Sequence, residues 1–170
     1  MRTPKGFTLL EFILYFALIS IVVSAITVFA LDVIRTRSKA AVIAEVEQNM
    51  RFGLQRVIRT VRQATKLNVG ASSFDSATGV LSVDVGSASD SPTVFDLSGG
   101  ALRVKEGTGP ATALTSSRVN VTSLRFTKDS LDGNNDAITA TIVVAFASDN
   151  PDPVFSYVAT ATGTAVIRKD

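Results

Sequence analysis

One acidic residue precedes a long apolar segment near the start of this chain. Glu11 is followed by twenty residues, Phe12 to Leu31, without a charged side chain. A helix of that length spans about 30 Å, the thickness of the hydrocarbon core of a bilayer. An isolated carboxylate in such a helix costs on the order of a few kcal/mol near the middle of a membrane and less near its edge. Because the segment contains no basic residue, Glu11 needs a partner from elsewhere.

The residues around Glu11 form a motif that lies directly before the apolar segment. They read Lys5-Gly6-Phe7-Thr8-Leu9-Leu10-Glu11. This motif resembles the processing site of type IV pilins and type II secretion pseudopilins. In that family a prepilin peptidase removes a short basic leader after its final glycine, and the new N-terminal residue is N-methylated. The resemblance implies a leader of residues 1–6, cleavage between Gly6 and Phe7, and methylation of Phe7.

Cleavage at this position creates a new amine close to Glu11. An α-amine is largely cationic at neutral pH, and N-methylation keeps it basic. Our hypothesis is that the Phe7 amine of one filament subunit pairs with Glu11 of its neighbour. Two isolated charges then become one ion pair, which sets the register between subunits. Thr8, Leu9 and Leu10 belong to the same expected assembly region.

Two other interpretations of the apolar segment stay open. One is a secretory signal peptide cleaved near the small residues Val23-Ser24-Ala25, although the apolar run continues to Leu31, which is long for such a peptide. The other is a plain signal anchor in which Glu11 has no partner. The basic residues Arg2 and Lys5 favour a cytoplasmic N-terminus. We therefore expect a single-pass protein of the inner (cytoplasmic) membrane with its C-terminal domain outside, which later enters a filament.

The composition excludes several kinds of active site. Among its 170 residues the chain has neither cysteine nor histidine. It can therefore form no disulfide or thiolate metal site, and it lacks the commonest general base. No nucleophile–base pair and no glycine-rich phosphate loop are found in the sequence. We predict that the protein is not an enzyme and that it uses no cofactor.

The helix is expected to continue as an amphipathic helix over residues 32–66. This segment has no proline, and its one glycine is Gly53. Apolar residues recur in it at steps of three and four, which places them on one face. They are Val42, Val46, Met50, Leu54, Val57, Ile58 and Val61. Such a stripe predicts that this half of the helix packs under a sheet.

Basic residues recur on the opposite face of the same segment. They are Arg56, Arg59, Arg62 and Lys66. From Arg35 to Lys66 the chain has eight basic and two acidic residues, whereas from Leu67 onward it has seven basic and eleven acidic residues. One interpretation is a solvated face, or one that meets an acidic surface of a neighbouring subunit. The other is contact with nucleic acid, with Phe52 as a stacking group.

The composition changes at Leu67, where a period close to two begins. Alternating segments occur at 80–85 and 138–146, and Ser98-Gly99-Gly100 between two further segments predicts a hairpin. A change of parity between Val121 and Leu124 predicts a bulge. The expected fold is α+β, with a long N-terminal helix whose second half packs on one antiparallel sheet, as in pilins. The expected domains are the leader 1–6, a membrane and assembly half 7–31, an amphipathic half 32–66, and a sheet domain 67–170.

Shorter segments resemble J-type pseudopilins and related minor pilins. They are Leu54-Gln55-Arg56 through Arg62-Gln63-Ala64-Thr65, Leu114-Thr115-Ser116 followed by Val119-Asn120-Val121, and Val166-Ile167-Arg168. The resemblance implies a structural subunit of a type IV pilus or a type II secretion-like filament. Its implied partners are other pilin or pseudopilin subunits, a prepilin peptidase and a membrane assembly platform. The alternative is a membrane-anchored extracytoplasmic module for DNA uptake or adhesion.

Acidic and amide side chains are concentrated near residue 130. They are Asp129, Asp132, Asn134, Asn135 and Asp136. Oxygen ligands at this density can bind calcium, although the spacing does not match an EF-hand. The same residue types are ordinary turn formers. We therefore predict no resident metal, and keep a calcium site at Asp129, Asp132, Asn134 and Asp136 as the alternative.

Overall fold

The computed structural model describes Gly6, residues 8–130 and residues 135–168. Over these residues the chain forms one α-helix, α1 (Leu9–Gln63), and eight strands. The strands are β1 (Ala64–Leu67), β2 (Leu81–Val85), β3 (Thr93–Ser98), β4 (Ala101–Glu106), β5 (Thr112–Ala113), β6 (Val119–Ser130), β7 (Asn135–Phe146) and β8 (Val158–Arg168). The α+β prediction is confirmed. The chain divides into two units, residues 1–40 and 41–170.

In the first unit, α1 exposes apolar side chains on every side. Apart from the half-buried Val33, the large apolar residues from Leu9 to Ile34 are exposed, the least exposed of them being Tyr15 at 47%. A helix that is apolar all round is stable where its surroundings are also apolar. α1 is long and apolar enough to cross a membrane.

In the second unit, α1 buries one face, as the stripe predicted. Val42, Val46, Met50, Val57 and Val61 are buried, and Leu54 and Ile58 pack against the same core. The opposing side chains come from the strands and include Leu81, Phe95, Leu102, Phe126 and Ile142. One apolar stripe of the helix therefore forms the core together with the strands.

The helix ends at Gln63, before the expected boundary at Lys66. The next four residues form β1, which pairs with β2 through Ala64↔Val85 and Leu67↔Val83. Ala64 and Leu67 thereby enter the core. Pairing with β2 satisfies the backbone of β1 as well as a further helical turn would. The burial of Leu67 therefore overrides a local sequence that suits a helix.

The strands form two antiparallel sheets, so the expected single sheet is wrong. One sheet has the order β1-β2-β3-β4-β5 and the other β6-β7-β8. The free edge of β6 bonds to loops, since Gly79 N donates to Leu124 O at 2.7 Å and Leu124 N donates to Ala77 O at 2.8 Å. Val121 N likewise donates to Gly100 O at 2.8 Å. These bonds satisfy the edge of β6 without a neighbouring strand, which keeps the sheets separate.

The local predictions within the strands are confirmed. Gly99 and Gly100 have φ angles of 59° and 73°, which a tight hairpin turn requires and which glycine adopts without steric cost. They join β3 to β4, where Ser98 faces Ala101. The bulge in β6 lies between Val121 and Ser123. Both features arise from short-range sequence signals.

The closest packing of α1 on the first sheet predicts a large effect at Gly53. A Cβ there would lie 2.8 Å from Leu102 Cδ2, and Leu102 is fully buried. We expect Gly53→Val to lower the free energy of unfolding by about 1–3 kcal/mol through overpacking. Gln55→Val, at an exposed position of the same helix, should change it by only a few tenths of a kcal/mol, the difference in helix propensity. Denaturant unfolding of the full-length protein in detergent measures both, and equal effects would contradict the packing at Gly53.

Candidate assembly surfaces

The start of α1 is built from two residues of the N-terminal motif. Glu11 N donates to Thr8 Oγ1 at 3.3 Å, and Phe12 N donates to Thr8 O at 3.1 Å. Thr8 is therefore the N-cap, and Glu11 lies in the first turn, where the helix dipole favours an acidic side chain. The sequence feature that indicates an N-cap is the spacing Thr-x-x-Glu of a capping box. From the sequence, the same residues were interpreted only as a processing site.

The other residues of the expected processing and assembly region are less constrained by contacts. Leu9 and Leu10 are 79% and 76% exposed, and Gly6 is also exposed. Phe7 lies outside the described residues. The structure therefore places two exposed leucines between Thr8, which is exposed, and Glu11, which is half-buried, at the first turn of α1.

Tyr15 supplies a hydrogen bond to Glu11. Its hydroxyl donates to Glu11 Oε1 at 3.4 Å, across one turn of α1. The hydroxyls of Ser20, Ser24 and Thr27 instead donate to backbone carbonyls four residues earlier, each at 2.8 Å. A phenol hydroxyl carries no charge, and no cation among the described residues pairs with Glu11. The carboxylate thus has a hydrogen bond but no described counter-ion.

The two acids of α1 that lie in the second unit, Glu45 and Glu47, are bonded to other residues of that unit. Glu45 Oε1 accepts from Asn49 Nδ2 at 3.0 Å and from Ser116 Oγ at 2.9 Å. Ser116 N also donates to Asn49 Oδ1 at 2.8 Å, so the loop before β6 is tied to α1. Glu47 pairs with Arg51 at 3.0 Å and accepts from Tyr157 Oη at 3.4 Å. The outward face of α1 is consequently left basic.

The structure divides the four predicted basic residues among different surroundings. Arg56 pairs with Glu106 at the end of β4. Arg59 and Arg62 are exposed on α1, whereas Lys66 is exposed on β1 and not on the helix. None of these last three forms an ion pair with a described carboxylate. The free cations therefore gather around the end of α1.

A groove of about 430 Å³, which we call the α1–β5 groove, has Arg59 in its lining. It runs between α1 and the short edge strand β5. Its lining consists of Phe52, Gln55, Arg56, Arg59, Val104, Glu106, Thr112 and Leu114. Phe52 is 54% exposed, so the groove offers apolar surface next to positive charge. The pattern of basic residues in the sequence did not reveal it, because β4, β5 and Leu114 directly after β5 supply half of its wall.

A second ion pair ties the hairpin β3–β4 together. Arg103 donates to both carboxylate oxygens of Asp96, at 2.9 Å from Nε and 2.6 Å from Nη2. This hydrogen bonding to Asp96 raises the pKa of Arg103 above its ordinary value. A raised pKa of a cation adds stability that is fully present below the ordinary pKa and is lost as the pH rises through the raised pKa, so the shift of Arg103 produces no pH dependence near neutrality.

In the acidic cluster, the two described carboxylates, Asp129 and Asp136, do not converge on one point. Asp136 faces Ser130 across the β6–β7 pair, and Asp129 faces Ala137, so Asp129 and Asp136 project from opposite faces of the sheet. Asp136 is buried and pairs with Lys128 at 3.1 Å. Asp132 and Asn134 lie outside the described residues. Within the described ranges no group of three acidic side chains could hold a metal ion, and the calcium site stays an untested alternative.

Comparison of this chain with family models, with curated proteins and with solved structures found no match. The resemblance to pilins therefore rests on the residues of the N-terminal motif and on the pattern of the chain.

The Lys128–Asp136 pair predicts how this end of the sheet responds to calcium and to mutation. We expect the same melting temperature in calcium and in chelator, because Lys128 already neutralises Asp136. Asp136→Asn should lower the free energy of unfolding by about 1–3 kcal/mol equally in both buffers, since it leaves the Lys128 ammonium without its counter-ion. Asp129→Asn is the matched exposed control. A melting temperature that rises with calcium, and no longer does so in Asp129→Asn, would support the calcium site instead.

Proposed function

We propose that this chain is a structural subunit of a cell-envelope filament, of the minor-pilin or pseudopilin kind. A prepilin peptidase removes residues 1–6, the first half of α1 holds the subunit in the membrane, and an assembly platform adds it to the filament. The observation that carries this proposal is Glu11, a carboxylate without a described counter-ion at the start of an exposed apolar helix.

The chemistry of Glu11 favours an assembling helix over a simple anchor. A carboxylate lowers the stability of any helix that only has to remain in lipid. Tyr15 offsets part of this cost with one hydrogen bond, but it supplies no positive charge. The Phe7 amine of a neighbouring subunit would supply that charge. The cost of Glu11 in the membrane then becomes a driving force for association.

The distribution of apolar surface supports the same proposal. In the second unit the stripe of α1 is already buried in the core, so it is not available to a partner. In the first unit the apolar side chains are exposed on all sides of α1. Such a surface suits a bilayer first and a bundle of like helices afterwards. The proposed work of the protein is therefore packing, and it requires no catalytic group.

Glu11→Ala tests this proposal in the full-length chain, expressed in a cell that has a prepilin peptidase. We expect the mature protein to begin at N-methylated Phe7, as in the wild type, and its co-purification with other filament subunits to fall about tenfold or more. A tenfold loss corresponds to about 1.4 kcal/mol, a modest value for an ion pair in an apolar setting. Asp32→Ala, at the far end of the apolar segment, should assemble normally.

Two results would contradict the proposal. One is a mature protein that still begins at Met1, found by mass spectrometry of its N-terminus. The other is Glu11→Ala protein that is processed and assembles at wild-type levels.

A second candidate function is DNA binding by a membrane-tethered module. Three observations favour it: Arg59 and Arg62 have no described ion pair, Lys66 lies close by in sequence on β1, and Phe52 is 54% exposed. Unpaired cations bind phosphates, and an exposed aromatic ring stacks on bases.

The DNA function predicts a salt-sensitive affinity for single- or double-stranded DNA. The triple variant Arg56→Ala/Arg59→Ala/Arg62→Ala should bind more weakly and reduce the slope of log K against log salt by about one for each phosphate contact removed. Arg125→Ala, which removes an exposed arginine from β6, is the matched control. Fluorescence anisotropy of labelled DNA with the full-length protein in detergent measures both. Wild-type protein that shows no binding at low salt would exclude this function.

A further inference from the structure

We propose that the α1–β5 groove receives the loop of residues 147–152 from a second copy of this chain. This inference rests on the proposed function, since it names the contact by which the second units of neighbouring subunits hold each other. In this contact, the positive charge of Arg59 in the groove binds an acidic surface of the neighbouring copy.

The groove requires a ligand that is both apolar and acidic. Its apolar surface comes from Phe52, Val104 and Leu114. Glu106 already neutralises Arg56, but Arg59 has no partner among the described carboxylates. An apolar group flanked by a carboxylate would cover Phe52 and pair with Arg59 at the same time.

The loop of residues 147–152 has this chemistry. All six residues are exposed, and Pro151 lies between Asp149 and Asp152. Asp149 has no hydrogen bond or ion pair in the described structure, whereas Asp152 accepts from Val154 N at 2.9 Å. Asn150 Oδ1 accepts from Asp152 N at 3.0 Å, so the loop is held in shape by its own bonds. A loop that is already ordered loses little conformational entropy on binding.

The groove and the loop are separate surfaces of one chain. Ala147 N donates to Arg118 O at 2.8 Å, and nearby Ser116 is bonded to Asn49 of α1. The loop therefore starts at the level of Asn49, whereas Arg59 lies ten residues further, about 15 Å along the helix axis. When the groove of one copy binds the loop of the next, the contact is heterologous, and its repetition gives a ring where the rotation closes and an open array where it does not. A filament requires the open array.

Engineered disulfides test the contact directly, because the wild-type chain contains no cysteine. Gln55→Cys marks the groove and Ala147→Cys marks the loop, and both positions are exposed. The full-length chain that carries both changes, oxidised in membranes, should give a ladder of covalent dimers, trimers and longer species. Chains with either change alone should give none. Two singly substituted chains, expressed together with different tags, should give a mixed dimer only.

Charge reversal tests the role of Arg59. In the doubly substituted chain, Arg59→Glu should reduce the ladder about tenfold or more. Adding Asp149→Lys should restore it, because the groove is then acidic and the loop basic in every copy. Arg125→Glu, at an exposed site outside both surfaces, should leave the ladder unchanged. The melting temperature of each variant shows whether the fold is retained.

The possible outcomes separate this inference from the proposed function. A ladder that is absent, while Glu11-dependent co-purification persists, overturns the groove contact alone. A ladder that survives Arg59→Glu in a folded chain, or a covalent conjugate with a different envelope protein in place of the ladder, also overturns it. A ladder that forms as expected, in a chain whose association does not depend on Glu11, supports the groove contact and overturns the proposed role of Glu11.

Discussion

The folded part of this protein depends on the burial of a single apolar stripe of α1. Val46, Val57 and Val61 are at most 1% exposed, and the two sheets contribute their apolar faces to the same core. Each large apolar side chain buried in this way contributes about 1.5–3 kcal/mol relative to exposure. The sheets share this core without joining, since loops satisfy the free edge of β6. The helix is thus the element that both sheets have in common.

The same helix carries charges that no described residue neutralises. Glu45 accepts a hydrogen bond from Ser116, and Glu47 is bonded to Arg51 and Tyr157. The outward face of α1 is therefore basic. In the apolar half, the one described partner of the Glu11 carboxylate is the hydroxyl of Tyr15. In the proposed function, other subunits supply counter-charges to the Glu11 carboxylate and to the basic face of α1. Electrostatics would then set the register and the partner, while apolar burial would supply most of the stability.

The sequence predicted the features that depend on neighbouring residues. Glycines at 99 and 100 demand positive φ angles, and the parity change after Val121 marks an extra residue in the strand, so both were found where expected. The stripe from Val42 to Val61 repeats often enough for its buried face to be identified. The role of Thr8 as N-cap was not predicted, because the motif was interpreted only as a processing site although Thr8 and Glu11 also have the spacing of a capping box.

By itself the sequence determined that an apolar helix begins near Glu11, that its second half buries one face, and that strands follow. These properties depend on composition and on periods of two and 3.6, which are local. Only the tertiary structure decided that α1 ends at Gln63, that the strands form two sheets, and that Arg56, unlike Arg59, pairs with a described carboxylate. Those outcomes depend on which distant residues come together in the core. Contacts between β1 and β2, or between α1 and β4, have no local signal in the chain.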